Sequence, residues 1–264
     1  YITLQDSKTY EKADILKKML SDDFYYNYLG KHTLSSSLIK KLLKSPKSYH
    51  YTIKYGDPVT TPLLMGRLLH LAILEPEEFH KYTFVDCQSR VAKKYKDFVK
   101  QNIDKKHTIF TMKEKAETER LQDALFRNEQ AMQLLTKCEY EVPEIGYIQG
   151  IPFRAKADVL CANRLVDLKT TANIEMFTDK FSSYGAKKLH YDVQVFIYCT
   201  LFNKPFDQFK FLVIDKQTLD IGIFDVTEDF YLSGKQKTYE AIAIYKQFFD
   251  EQVDLDSYTL RGEL

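Results

Sequence analysis

The segment NRLVDLKTTANIEMF, residues 163–177, carries Asp167 and Lys169 two positions apart in an otherwise apolar run. Side chains alternate along a strand, so Asp167, Lys169 and Leu165 share one face while Val166 and Leu168 share the other. Asp158 stands near the end of the preceding run, PFRAKADVL. A turn around Cys161–Arg164 folds the two runs antiparallel and lets the carboxylates face each other. Two such carboxylates, with backbones about 4 to 5 Å apart, repel unless a cation joins them. Carboxylate-lined sites suit Mg²⁺ or Mn²⁺. An ion there lowers the pKa of its water and polarises a phosphate. Lys169 reaches the same spot, where it can orient or deprotonate a water or stabilise a developing charge. Taken alone, Asp-x-Lys is also a common solvent-facing ion pair, so other residues must decide.

In MGRLLHLAIL, His70 and Arg67 are the strongly polar residues of an apolar helix. Gly66 shares a face with His70 and clears space beside the imidazole. A lone core histidine commonly bonds a backbone carbonyl; the functional alternative is a metal ligand or a phosphate contact. His190, Gln194 and Tyr198 recur every fourth residue in LHYDVQVFIYCTLF. They form either a half-exposed surface stripe or a set that reaches a phosphate or holds the lysine. Glu144 is a further carboxylate available to a metal, and the weakest candidate taken alone.

These residues need elements to carry them. A short helix is expected around Tyr10–Leu20. In LSSSLIKKLLKSPKSYHY, Ser35–Ser37 offer an N-cap, and Leu38, Ile39, Leu42 and Leu43 form a helical stripe that Pro46 ends or breaks. TPLLMGRLLHLAILEPEEF opens with Pro62 in a first-turn position and continues apolar nearly all round, which marks a buried helix. Residues 91–137 read as two charged amphipathic helices joined near TIFTMKEKAE. Three antiparallel strands follow, at about 141–149, 152–160 and 164–170, punctuated by Gly150-Ile151-Pro152 and Ala162-Asn163. A helix at about 187–202, the strands FKFLVID and DIGIFDV turning near Lys216–Leu219, and a helix at about 228–250 complete the pattern. This order predicts an α/β fold with a central mixed sheet. One domain is expected over 1–264: an extension at 1–33, a mostly helical part at 34–140, a sheet core with a motif helix at 141–226, and a C-terminal helix and tail at 227–264.

The 264 residues are 44% hydrophobic, enough for a sizeable core. The formal net charge of +1 excludes a strongly basic coat, so any nucleic-acid surface must be local. No apolar run approaches the roughly 18 to 20 residues of a membrane span, and no signal peptide opens the chain. The chain starts at Tyr1 without a methionine, which suggests a longer parent. Cys87, Cys138, Cys161 and Cys199 form no CxxC or Cys/His cluster, so neither zinc nor an iron–sulfur cluster is expected. They are expected to be reduced thiols of a cytoplasmic protein.

The motif order Gly-x-x-x-His, Glu, Asp, Asp-x-Lys, Gln-x-x-x-Tyr resembles the PD-(D/E)xK nucleases of the RecB type. LSSSLIKKLLKSPKSYHY, GRLLHLAILEPEEF, PFRAKADVL, DLKTTANIEMF and HYDVQVFIY resemble more closely the exonuclease VIII (RecE) family of phage and prophage recombination enzymes. The resemblance runs from about Leu34 to Tyr198 and beyond. It implies a restriction-endonuclease-like core and a Mg²⁺-dependent exonuclease, with Mn²⁺ a substitute. Such an enzyme degrades one strand of duplex DNA from its 5′ end and leaves a 3′ tail for a single-strand annealing partner. It also implies a ring-shaped homo-oligomer acting on DNA ends in a bacterial or phage-infected cytoplasm, with no membrane partner.

Carried over by position, His70, Asp158, Asp167 and Lys169 would form the catalytic core, with Gln194 and Tyr198 on the helix over it. His70, Asp158, Asp167 and the Leu168 carbonyl would hold the metal, with Glu144 as a further acidic position. The family's Pro-Asp is Ala157-Asp158 here, and the carboxylate that does the chemistry is kept. Iron–sulfur relatives carry a cysteine where this chain has Ser45. For DNA, Arg67 and Arg154 lie near the motifs, and Lys187 and Lys188 form a cluster. So do Lys40, Lys41, Lys44 and Lys47, and Lys93, Lys94 and Lys96, although such clusters are commonly solvated faces. Two alternatives stay open: a nucleic-acid-binding or scaffold protein on an inactive nuclease fold, and a nuclease of other polarity or an endonuclease.

Overall fold

The computed structural model describes residues 1–178 and 185–260. The tail residues 261–264 lie outside them. Two short strands, β1 (Ile2–Thr3) and β2 (Thr9–Tyr10), precede α1 (Lys12–Lys18), a π-helical stretch Asp23–Tyr28 and α2 (Leu29–His32). The predicted N-terminal stripe becomes α3 (Ser36–Lys44), and Pro46 starts α4 (Pro46–Tyr55) instead of merely ending α3. Ser45 allows both: it closes α3 in extended conformation, and its hydroxyl accepts from Ser48 N–H to cap α4. The buried helix is α5 (Thr61–Leu74), capped by Thr60, followed by α6 (Pro76–Phe79).

Between α6 and the main sheet the sequence pattern was less complete. β3 (Thr83–Val85) pairs in parallel with β4 (Ile109–Thr111), a small sheet that no periodicity announced. α7 (Lys93–Gln101) separates them. The second expected amphipathic helix is two, α8 (Met112–Phe126) and α9 (Glu129–Leu135). Thr111 and Glu114 form a reciprocal capping box on α8, and the Asn128 side chain caps α9, so each boundary has a cap that fixes it.

The central sheet has five strands in chain order. They are β5 (Glu139–Ile148), β6 (Ile151–Cys161), β7 (Arg164–Thr171), β8 (Phe209–Asp215) and β9 (Ile221–Asp225). All neighbours are antiparallel except β7 and β8, which are parallel. A parallel pair needs a crossover, and α10 (Tyr191–Leu201) lies within it. The β5–β6 hairpin closes on Gln149-Gly150, both at positive φ (50° and 80°). That two-residue turn suits the twist of the strands. The last long helix, α11 (Glu228–Tyr245), packs on α10.

Two helices cover opposite faces of the sheet. Leu69, Ile73 and Leu74 of α5 pack with Val166 and Leu168 of β7. Val195 and Cys199 of α10 pack with Leu165, Phe209 and Phe211 on the other face. The alternation read from the sequence therefore governs which helix meets which β7 side chain. No helix among the described residues is long and apolar enough to cross a membrane.

Two sequence expectations need correction here. Cys138 and Cys161 are not free thiols: they form a disulfide across the open end of the β5–β6 hairpin, with Cα atoms 4.4 Å apart. Their spacing of 23 residues hides this, because the hairpin folds between them. Cys87 and Cys199 are free. Arg154 is not a DNA contact either. It is buried, and its Nη1 donates to the Leu29 carbonyl (2.9 Å) and the Thr33 hydroxyl (2.8 Å), with its guanidinium over the Tyr25 ring. It ties the N-terminal segment to β6. Arg154→Met leaves those acceptors without a donor, and unfolding free energy in urea should fall by roughly 2–4 kcal/mol. Affinity for duplex DNA, measured on the folded variant, should stay within about threefold of wild type; a larger loss would return Arg154 to the DNA surface.

Candidate active site

The β6–β7 ladder pairs Leu160 with Leu165 and Val159 with Val166, a register that continues to Asp158 and Asp167. The ladder stops there. The Asp158 Oδ2 instead accepts the Leu168 N–H at 2.8 Å, so a side chain takes the place of the neighbouring strand. The strands part, and the gap is the site. Into it α5 sends His70, one full turn after Gly66. A Cβ at Gly66 would meet nothing within 4 Å, so the space on that side is open whatever the residue.

His70 bridges the two strands. Its Nε2 lies 3.0 Å from the Leu168 carbonyl oxygen. Its Nδ1 faces Asp158 Oδ1 at 3.7 Å and Glu141 Oε1 at 3.9 Å. His70, Glu141 and Asp158 thus offer ligand atoms that all lie within 4.8 Å of one another. Burial would lower the imidazole's pKa, but the two carboxylates outweigh it and hold it at about 9.

Asp167 sits beside this set and is otherwise engaged. Its Oδ1 accepts from Gln194 Nε2 of α10 at 2.5 Å, and its Oδ2 contacts the Lys169 ammonium. That Oδ2 is fully buried with no hydrogen-bond donor in line, which leaves it able to accept another electropositive partner. Burial, reinforced by Asp158, raises the Asp167 pKa against the pull of Lys169. Burial alone would lower Lys169, yet Asp167 and Asp158 hold its ammonium above the usual lysine value. Lys169 therefore presents a charged donor to the gap.

The structure therefore brings together His70, Asp158, the Leu168 carbonyl, Asp167, Lys169 and Gln194. It does not bring Glu144. That carboxylate accepts from Lys12 at 2.8 Å, and Glu141 takes the place expected for it. The residues flanking Glu141 pair with those flanking Asp158, Tyr140 with Val159 and Val142 with Ala157, whereas Glu144 lies opposite Ala155. Three strand positions reverse the face of a side chain. The Gln149-Gly150 turn held this information, since a two-residue turn fixes the register that sets Glu141 against Asp158. Glu141 itself adopts φ 52°, rare for a non-glycine strand residue, and it does so at the site.

Tyr198 is also corrected: its hydroxyl donates to the Lys156 carbonyl at 3.0 Å and supports β6. Arg67 is half-exposed and pairs with Asp22. Lys156 links Asp22 (3.7 Å) to Glu141 (3.9 Å), so alternating charges run from Arg67 to the carboxylate cluster. Lys187 and Lys188 are exposed ahead of α10.

A family model described as "PDDEXK-like domain of unknown function (DUF3799)" matches residues 35–256. The chain belongs to this PDDEXK-like family. Among solved structures it is similar to a "putative exonuclease" from Eubacterium rectale, at 17% identity over 92% of this chain and 95% of that one, with a TM-score of 0.64. A second structure, of SSO0001, is 14% identical over 88% and 85% of the two chains, with a TM-score of 0.42. No curated protein matches. The family and the first likeness agree with the mixed sheet and helices described above.

One imidazole and two carboxylates suit a divalent cation, and the imidazole favours Mn²⁺ over Mg²⁺. Calorimetric Mn²⁺ titration should find binding weakened at least tenfold by Glu141→Gln and unchanged by Glu144→Gln; the opposite order would restore Glu144. A second prediction concerns pH. The folded His70 pKa of about 9 exceeds its ordinary 6.5, so its protonated form stabilises the fold. That contribution is complete below about 6.5 and is lost as pH rises through about 9. Chelator-treated protein should thus be more easily unfolded by urea at pH 9.5 than at pH 6, and His70→Gln should flatten the difference.

Proposed function

We propose that this chain is a metal-dependent deoxyribonuclease, and in the finer reading a 5′-to-3′ exonuclease of duplex DNA. The observation that carries it is the single gap between β6 and β7, where His70, Glu141 and Asp158 converge beside Asp167 and a protonated Lys169. Membership of a PDDEXK-like family supports it. His70, Glu141 and Asp158, with the buried Asp167 Oδ2 nearby, would hold a divalent cation. When bound, the cation supplies Lewis acidity and a lowered pKa for water.

The chain's own residues do the rest. Lys169 donates from its ammonium to the attacking water or to a non-bridging phosphate oxygen, and stabilises charge as it builds there. Asp167 fixes the lysine, and Gln194 fixes Asp167. Asp158 holds the Leu168 N–H and so keeps the gap open. The finer parts of the proposal are Mg²⁺ as the working ion, 3′ single-strand tails passed to an annealing protein, a homo-oligomeric ring on DNA ends, and a cytoplasmic setting in bacterial or phage-infected cells. They rest on the RecE resemblance of the motifs. Arg67, Lys187 and Lys188 are proposed as outer DNA contacts.

The test uses linear duplex labelled at either end, with Mg²⁺ or Mn²⁺, and closed circular duplex as control. Wild type should digest the linear DNA from the 5′ end and spare the circle. Lys169→Ala and Asp158→Ala should slow the first cleavage by about 10²–10⁴-fold. Equal digestion by wild type and variants would sink the assignment. Cutting of the circle would move it to an endonuclease, and DNA binding without any divalent-dependent cleavage would favour an inactive nuclease fold.

A further inference from the structure

Lys40, Lys41, Lys44 and Lys47 look alike in the sequence, and the structure separates them. Lys41 pairs with Asp57 at 2.7 Å, and Lys47 pairs with Asp256 at 2.5 Å. Lys44 is exposed. Lys40 instead turns inward. Its Nζ stands 4.9 Å from the centre of the Tyr191 ring, and the Lys169 Nζ stands 5.1 Å from the same centre. Two ammonium groups therefore share one aromatic ring in the first turn of α10, one turn before Gln194.

Their electrostatic positions differ. Lys169 has Asp167 as its counter-ion. Among the described residues no ion pair is formed by Lys40. The two acids whose charge it feels are already engaged: Asp167 by Lys169 and Gln194, and Asp192 by Lys237 (2.7 Å) and Ser233 (2.8 Å). Burial, and then the like charge of Lys169, lower the Lys40 pKa to about 8. The ring face attracts both cations but carries no net charge to neutralise them. A half-buried ammonium beside a second one is a costly arrangement unless an anion comes to it.

We propose that Lys40 is a substrate-binding residue of this site: beside Lys169, at the Tyr191 ring that both approach, it holds the DNA strand through the phosphate next to the scissile one. The proposal rests on the nuclease reading above. Lys169 belongs to the reacting phosphate, since its partner Asp167 lies beside the carboxylate cluster. Among the described residues Lys40 has no such carboxylate partner, so its charge is left for the neighbouring phosphate of the same strand. A lysine binds such a group as a point charge, which tolerates any base sequence.

The experiment measures the first cleavage of short linear duplexes in Mg²⁺, over a range of salt. One set carries a single uncharged methylphosphonate linkage at successive positions near each end. Wild type should lose about tenfold in kcat/KM when the neutral linkage adjoins the first scissile phosphate. Lys40→Gln should raise KM about tenfold on ordinary DNA with kcat within about threefold. It should lower the salt slope of log kcat/KM by about 1. It should lose nothing further on the neutral linkage. Lys40→Arg should restore KM to within about threefold of wild type. No penalty for wild type at any neighbouring linkage overturns the proposal without recourse to a variant. So does a folded Lys40→Gln protein with unchanged KM and salt slope. In both cases normal digestion by wild type leaves the nuclease reading standing, whereas a wild type that leaves linear duplex intact removes that reading itself.

Discussion

The burial of Asp167 constrains everything around it. It is 2% exposed, on the central strand of a five-stranded sheet, and a carboxylate in that place is untenable without partners. Lys169 comes from the same strand and face. Gln194 must come from above, which dictates where α10 lies. α10 is held in turn by α11, through Asp192 with Lys237 and Ser233. Gly234 permits the approach: a Cβ there would overlap the Asp192 carbonyl oxygen. A glycine far from the carboxylate in sequence thus helps set the amide that bonds it.

The parting of β6 and β7 is the second consequence. An ordinary ladder through Asp158 and Asp167 would press two carboxylates together on one face. Diverting the Asp158 carboxylate onto the Leu168 N–H removes that contact and satisfies a backbone donor that the lost ladder would have orphaned. It also frees the Leu168 carbonyl for His70. The left-handed conformation of Glu141 works on the other side of β6, breaking the β5 ladder opposite Asp158 and turning a third acid toward the gap. Local strain of this kind costs of order 1–3 kcal/mol and persists where surrounding structure over-determines it. Here the long, well-paired β5–β6 hairpin supplies that surrounding structure.

The legible parts of the sequence were those governed by short-range rules. Alternation along β7 assigns Leu165 and Asp167 to one face and Val166 and Leu168 to the other, and the packing of α10 and α5 follows it. The apolar circumference of α5 announces its burial. What escaped depends on register or on partners distant in sequence. Glu141 and Glu144 are equivalent carboxylates until the Gln149-Gly150 turn sets the hairpin register. Arg154 and Lys40 carry the same kind of charge as the surface lysines, and only tertiary contacts show that one braces the N-terminal segment and the other faces Tyr191. The Cys138–Cys161 pair is likewise a product of hairpin closure. β3 and β4, at three residues each, are too short for any period to show.

The charges of the gap balance one another in a way that bears on how a cation enters. Glu141, Asp158 and Asp167 face protonated His70, Lys169 and Lys156. Their charges largely balance, which lets three acids share one gap in the sheet. Binding at the imidazole requires the loss of the His70 proton, because only the neutral ring has a lone pair to offer. With that pKa near 9, a divalent ion at neutral pH competes with a proton and must be the stronger partner for the two carboxylates. Its two positive charges against the single one it displaces meet that demand. The same exchange adds positive charge to the gap, which on the nuclease proposal is what a phosphodiester anion would meet.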